Sequence, residues 1–404
     1  MKKIHVTSEI GKLKTVLLHE PGEELHNLTP KHLDDLLFDD IPWLPLAKKE
    51  HQKFAQTFID NGIKVVYLVD LVVESLKDKE IKEQFIRQFV SEANIHSTTL
   101  SMMVTEYLLD IKDTKEMVLK CIAGIKKTEL PNYQKRTLRD ILNEDQFATD
   151  PIPNLYFQRD PFATLGDGVV LNKMYSVTRS RETIFGEYIF KYHPEYKGTP
   201  LLYDRQGLSS IEGGDIMVLN SKTFVIGASQ RTTPVAIENL AKNVFFKEKT
   251  QFENIIVLSI PKARTFMHLD TIFTQVDTNK FTIHKECYDS LKIIEIHKGQ
   301  NKKLQVNEFD GELKDVLEKY INQKVILIPC GGEDSVSADR EQWSDGSNTI
   351  AIAPGVVIAY ERNDITNNIL RENGVTVFEI PSSELSRGRG GPRCMCMPLE
   401  REDI

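Results

Sequence analysis

The chain has 404 residues, 40% hydrophobic and 27% charged, with a formal net charge of -8 at pH 7. That composition can bury a large core as one large repetitive domain or as two domains, and its negative balance argues against a general nucleic-acid binder, which depends on Lys and Arg to neutralise phosphates. No stretch approaches the ~18–20 apolar residues of a membrane helix.

In chain order, the opening MKKIHVTSEIGKLKTVLLHEPG begins basic but interrupts its apolar residues with charges. This predicts no signal peptide, and five scattered cysteines fit a reducing compartment, so a cytoplasmic location is expected. From Ile63 to Leu165 the only glycine is Gly124. Within that stretch Ile81, Phe85, Phe89 and Ile95, then Met103, Tyr107, Leu108 and Ile111, recur at helical spacing. They predict an all-helical insertion over 75–149, ending near the Pro-rich DPIPN, with 1–74 and 150–404 forming the main α/β domain.

Elsewhere short β-rich runs are broken by Gly, Pro and Asn. GVVLNKMYSVTRSRET from Gly168, TFVIGASQRTTPVAIENLAKN from Thr223 and GVVIAYERNDITNNILRENGVTVFEI from Gly355 each carry an apolar strand and an Arg-containing turn. The last two add a helix leading to another strand. KTVLLHEPGEE near the start and DTIFTQVDTNKFTIH from Asp270 are weaker counterparts. Five such units suit radial repetition, with strand ends converging on a central site.

Four islands set unusual polar residues between strand-like runs. In PNLYFQRDPFA, Pro153 to Ala163, an alternating strand would bring Asn154 and Asp160 to one face and Arg159 to the other. In SIEGGDIMVL, Glu212 precedes two glycines that permit close backbone approach. In FMHLDTIFTQVD, His268 and Asp270 would share one face of a strand, as a metal site, an acid/base pair or a hydrogen-bonded core pair. The metal reading lacks a third ligand at characteristic spacing.

The fourth island is LSRGRGGPRCMCMPLERED, Leu385 to Asp403. Its C-x-C spacing is too short for a C-x-x-C redox motif, and no second cysteine pair completes a zinc site. One GRGG unit is too short for an RNA-binding segment. A cysteine nucleophile working with a distant His and carboxylates remains. Both Cys394 and Cys396 would face one side of an extended segment, so spacing does not separate them. The other three cysteines, Cys121, Cys287 and Cys330, read as buried apolar filling.

Three carboxylates beside a soft nucleophile suit a guanidinium, which is planar, permanently cationic and bidentate toward carboxylates. Arg179, Arg231 and Arg389 would then hold a carboxylate at the ligand's other end. The implied ligand is a guanidino acid.

PNLYFQRDPFA, IEGGD, FMHLDT, REQWSDGSNTIAIAPGVV and RGRGGPRCMCMPLERED, with HVTSEIGKLKTVLLHEPG and LLFDDIPWLPLAKKEH, resemble the arginine deiminase family over essentially the whole chain. The resemblance implies a five-bladed α/β propeller of ββαβ modules within the guanidino-group-modifying superfamily, and it identifies the helical block as the insertion these enzymes carry. It implies that Cys394 is the nucleophile and His268 the general acid/base. Asp160 and Asp270 would clamp the guanidinium, and Glu212 would orient His268 and contact the guanidinium. It further implies that Asn154, Arg179, Arg231 and Arg389 hold the amino-acid carboxylate, Phe157 packs on the aliphatic stem, and Gly388 makes a backbone contact in a mobile loop. Cys396 stands where related sequences commonly have Ser or Thr, and Arg387 and Arg393 receive no role. The expected reaction is hydrolysis of free L-arginine to L-citrulline and ammonia, without metal or organic cofactor, nucleic acid or membrane, in a homo-oligomer of two or more subunits. The competing expectations are an amidinotransferase, a peptidylarginine deiminase and a non-catalytic propeller used as a binding module.

Overall fold

The computed structural model describes residues 3–135, 138–142, 146–248, 250–261, 266–288 and 290–404. Five sheets within it repeat one plan: an antiparallel pair of strands, a covering helix, and a further strand parallel to the second. The first unit pairs Phe162–Leu165 with Gly168–Leu171 and returns through helix Glu182–Tyr192 to Leu201–Tyr203. The second uses Ile216–Asn220, Thr223–Ala228, helix Pro234–Lys242 and Asn254–Ser259. The third uses Phe273–Gln275, Lys280–Ile283, helix Leu313–Ile321 and Ile326–Pro329. The fourth uses Ile350–Ala353, Val356–Tyr360, helix Asp364–Glu372 and Thr376–Ile380.

The fifth unit joins the two ends of the chain. Met397–Arg401 pairs antiparallel with Leu13–Leu18, which runs parallel to Lys64–Tyr67 after helix Leu44–Asp60. An added hairpin, Lys292–Lys298 with Leu304–Glu308, lies on the second sheet and widens it to five strands. The parallel return needs a crossover, and an amphipathic helix supplies it while covering one sheet face. The result is a mixed α/β fold.

The expected insertion contains helices Lys79–Ser91, Thr98–Asp110 and Thr114–Ala123. Each starts at a capping side chain: Asp78 accepts from Glu80 and Ile81 N–H, Ser97 from Leu100, and Asp113 from Glu116. It is not wholly helical, because Ile125–Lys126 and Phe147–Thr149 form a short antiparallel pair at its exit. Phe147 and Thr149 are β-formers whose run is too short to register as a period. Positions 136, 137 and 143–145 of the expected helical block lie outside the described residues. Phe85 and Phe89 pack on Phe185, and Phe85 also meets Tyr188 of the first unit. One continuous apolar cluster therefore runs from the insertion into that sheet. No helix among the described residues is long and apolar enough to cross a membrane.

Candidate active site

The candidate catalytic residues sit on turns that shortly precede the first strand of four of the five units. Asp160 stands two residues before Phe162, and Glu212 caps the 3-10 turn Gly213–Asp215 before Ile216. His268 and Asp270 belong to the 3-10 turn region Leu269–Thr271 before Phe273, and Cys394 lies three residues before Met397. The expected strand over Pro153 to Ala163 is a 3-10 turn at Pro153–Tyr156 followed by a loop, and the expected strand at His268 is likewise a turn. Pro153 and Pro161 explain the first, since neither can donate to a sheet ladder. The polar Asp270, held by turn hydrogen bonds from Thr271 N–H to His268 O, explains the second. The polar residues converge because five turns meet, not because they share a strand face.

Cys394 is buried, 5% exposed, and its Sγ stands 3.7 Å from Asp270 Oδ2, to which the thiol donates. His268 Nε2–H donates to Glu212 Oε2 at 2.8 Å, while Nδ1 is 3.9 Å from Asp160 Oδ1. Gly213 and Gly214 make this approach possible. A Cβ on Gly214 would lie 2.7 Å from His268 Cγ, and one on Gly213 would lie 2.0 Å from the Arg159 carbonyl oxygen. Asp215 fixes the opposite turn, accepting from Leu269 N–H at 2.9 Å and Ser229 Oγ–H at 2.7 Å.

Arg179 donates through Nε and Nη2 to Glu182, each at 2.8 Å, and through Nη1 to Asp160 Oδ2 at 2.9 Å. One N–H on each terminal nitrogen is left over. Among the described residues Arg231 has no hydrogen-bond partner at Nε or Nη1. Its guanidinium stacks over Tyr175 and comes within 3.8 Å of Glu212. A pocket of about 460 Å³, lined in part by Phe38, Asp39, Tyr175, Arg231 and Gly388, opens here. Arg389 lies 3.5 Å over the Trp343 ring and 3.8 Å from Asp39. Asn154 donates to the Leu36 carbonyl at 2.6 Å. Phe157 packs under the glycine loop, where a Cβ on Gly390 would come within 2.3 Å of its ring. The loop's glycines are thus required by close packing in this conformation.

Several residues at the site gave no local signal in the sequence. Arg393 is fully buried and donates to Asp270 Oδ2 at 2.8 Å, Glu9 Oε2 at 3.1 Å and the Ile216 carbonyl at 2.8 Å. Asn348, two residues before strand Ile350–Ala353, accepts from Cys394 N–H and donates to the Asp270 carbonyl, both at 3.0 Å. It is the fourth unit's counterpart of Asp160, and the repeat of turn before strand was the signal that would have found it. Glu50 accepts from Ser383 Oγ–H and from Glu384 and Leu385 N–H, anchoring the start of the glycine loop. Arg387 is half-exposed and pairs with Asp40 and Glu384.

Burial and charge set the protonation states. Burial alone would pull His268 down, yet Asp160, the Glu212 hydrogen bond and Asp215 push it up to about 9. Burial raises Glu212, but His268 and Arg231 outweigh it and hold it at about 2. The Cys394 thiol is pushed well above its ordinary value by burial, then by Asp270, Asp160 and Asp345, with Arg393 opposing. The site therefore pairs an imidazolium with a thiol that waits for a positive charge. Asp160 Oδ1 and Asp270 Oδ1 are buried with no hydrogen-bond partner among the described residues. Asp160, Glu212 and His268 also have metal-ligand composition, but Arg179 and Arg231 already stand within 4.0 Å of those carboxylates and would repel a metal cation.

The fold has the same course as that of a class of solved α/β enzymes. It is similar to SxtG, an amidinotransferase of Microseira wollei (TM-score 0.54, 13% identity, 100% of this chain and 98% of that one). It is also similar to the N-terminal domain of ArgZ, a cyanobacterial arginine dihydrolase (TM-score 0.54, 15% identity, 96% and 97%). Sequence narrows the class: the family model of arginine deiminase matches residues 34–401. Arginine deiminases of Treponema denticola and Clostridium perfringens are 52% and 49% identical to this chain, each over 100% of it and over 100% and 99% of their own lengths. The chain belongs to the arginine deiminase family.

Proposed function

We propose that this chain hydrolyses free L-arginine to L-citrulline and ammonia through a covalent adduct on Cys394. The observation that carries the reading is the pair of buried, unpartnered oxygens Asp160 Oδ1 and Asp270 Oδ1 beside the Cys394 thiol. Leaving a buried acceptor unpaired costs about 1–3 kcal/mol, more when charged, and a planar guanidinium supplies donors to both. Its charge also opposes the carboxylates that hold the thiol protonated, so substrate binding promotes loss of the thiol proton to solvent and leaves the thiolate.

Thiolate Cys394 attacks the guanidinium carbon, forming the C–S bond and a tetrahedral adduct. The adduct collapses with cleavage of one C–N bond, and the His268 imidazolium gives its proton to the departing ammonia. An S-alkylthiouronium remains. Neutral His268 then takes one proton from water as the oxygen attacks the same carbon; collapse breaks the C–S bond, the remaining hydroxyl proton goes to the departing sulfur, and citrulline is left with the Cys394 thiol and the His268 imidazolium restored. Glu212 keeps His268 charged for the first half. Arg231 and Arg389 hold the substrate carboxylate, with the remaining N–H groups of Arg179 and with Asn154; Phe157 packs on the aliphatic stem and Gly388 contributes a backbone contact.

The five units are read as the blades of one propeller, with 1–74 and 150–404 forming it and 75–149 inserted. The net charge of -8 and the five unpaired cysteines among the described residues support a cytoplasmic protein that does not bind nucleic acid. A homo-oligomer of two or more subunits is proposed on the family relationship alone. Acid quench during turnover, followed by mass spectrometry, should find an arginine-derived amidine on the peptide carrying Cys394. Its absence there, or its presence on Cys396 instead, would overturn the assignment. Citrulline formed without dependence on an added amine separates hydrolysis from amidino transfer.

A further inference from the structure

A second group of ligand-type side chains lies away from the catalytic turns. His284 follows strand Lys280–Ile283, Glu286 lies in the helical turn Lys285–Tyr288, and Asp339 projects from helix Ser335–Trp343. His284 Nε2 stands 3.9 Å from Glu286 Oε2 and 3.9 Å from Asp339 Oδ1. One ligand atom from each of the three lies within 4.8 Å of the others.

The imidazole is the unusual member. Its side chain is 2% exposed, Nδ1 is buried without a hydrogen-bond partner among the described residues, and both carboxylates lie beyond hydrogen-bond reach of Nε2. Burial also holds this ring below its ordinary pKa in spite of the two carboxylates. A neutral ring at 3.9 Å gains neither a hydrogen bond nor an ion pair. Among the described residues, Glu286 and Asp339 have no other ion-pair partner.

A separation too long for a hydrogen bond is close to that of two atoms sharing one cation. With metal–ligand bonds of about 2.0–2.2 Å, tetrahedral ligands stand about 3.3–3.6 Å apart. The few tenths that remain are within reach of the carboxylates, which are 63% and 62% exposed and can swing inward. We infer that His284, Glu286 and Asp339 bind one divalent cation of the zinc class, with water completing its shell. An imidazole with two carboxylates favours such a metal over magnesium or calcium. His284 lacks the acceptor that usually backs a ligating histidine at its second nitrogen, so the affinity is modest.

The ion ties together two walls of the catalytic pocket without entering the reaction. The His284 backbone N–H donates to the Ile272 carbonyl, next to the turn that carries His268 and Asp270. Helix Ser335–Trp343 ends at the indole under Arg389 and leads to Asn348, which holds Cys394. This inference does not rest on the proposed reaction.

The test is calorimetric titration of chelator-stripped, full-length Cys394→Ala protein with zinc, which removes the competing thiol. One equivalent should bind, raising the thermal midpoint. His284→Ala and Asp339→Asn should each weaken binding at least tenfold, about 1.4 kcal/mol. Asp339 is exposed, so its variant gives an answer even if His284→Ala misfolds. No binding at millimolar zinc, binding unchanged by both substitutions, or binding abolished only by His268→Ala would each overturn the site.

Discussion

Two buried arginines organise two regions of this molecule, and their surroundings differ in one respect. Arg205, between the insertion and the first unit, donates to Glu92, Glu187 and the Thr183 hydroxyl. Glu92 and Glu187 also accept from Gln88, so the cluster closes on itself. Arg179, in the candidate active site, likewise holds two carboxylates, Glu182 and Asp160. There, however, Asp160 keeps one oxygen buried and unpartnered, as Asp270 does under Arg393. A saturated cluster is complete as architecture. An unsaturated one stores a binding demand in the folded state, which a cation of matching shape can meet.

Substitution should separate the two. Asp160→Asn removes the negative charge and one guanidinium acceptor, Oδ1, to which the fold gives no hydrogen bond, while an amide oxygen can still accept from Arg179. It should lose about 3–4 kcal/mol of transition-state stabilisation, a fall of roughly 10²–10³ in kcat/KM, with little change in thermal midpoint. Arg205→Ala should do the reverse. It strands two carboxylates that are partly exposed, so the cost is discounted to about 2–3 kcal/mol of stability, while kcat/KM stays within about threefold. Steady-state kinetics and thermal unfolding on the same preparations measure both. If Asp160→Asn chiefly destabilises, the contrast between the regions fails.

The contrast also explains how far the sequence could be read. Helical spacing through Phe85, Phe89 and Leu108 marked the insertion because a buried helix face imposes a local period. The islands around Asp160, Glu212, His268 and Cys394 were legible because charged residues beside apolar strands are expensive unless they are used. The strand readings at Asn154 and His268 failed, because the catalytic residues occupy turns where chain direction, not alternation, aims each side chain. Arg393 and Glu9 pair across 384 positions, and Asn348 reaches Cys394 across 46. A lone Asn or Glu carries no local pattern, so only the fold brings such partners together.

The charged imidazole permits a smaller, graded test. His268 sits at about 9 in the folded protein, against an ordinary 6.5. A raised folded value means that protonation stabilises the native state below the unfolded pKa. That contribution is lost as pH rises from about 6.5 through 9. The same proton is the one given to ammonia, so kcat/KM should fall on the alkaline side near 9. Glu212→Gln removes a negative charge from His268 Nε2 and should move this limb toward neutrality, beyond any loss in rate. A pH profile whose alkaline limb stays fixed in Glu212→Gln would assign the limb to another group.

The smallest expected effect concerns the second thiol. Both cysteines are buried and both are raised, Cys396 to about 11 by burial with Arg159, Arg401 and Arg393 opposing. What separates them is the charge each faces. Cys394 looks onto Asp270 and Asp160, so an arriving cation transforms its surroundings. Cys396 already stands among arginines and donates to the Pro392 carbonyl at 3.3 Å, an interaction that a serine hydroxyl can repeat. Cys396→Ser should therefore keep kcat/KM within about threefold and stability within about 1 kcal/mol. An amidine-bearing alkylating agent should still label Cys394 in that variant. A hundredfold loss of activity in Cys396→Ser, with labelling unchanged, would mean that the arginine-lined thiol takes part in the chemistry.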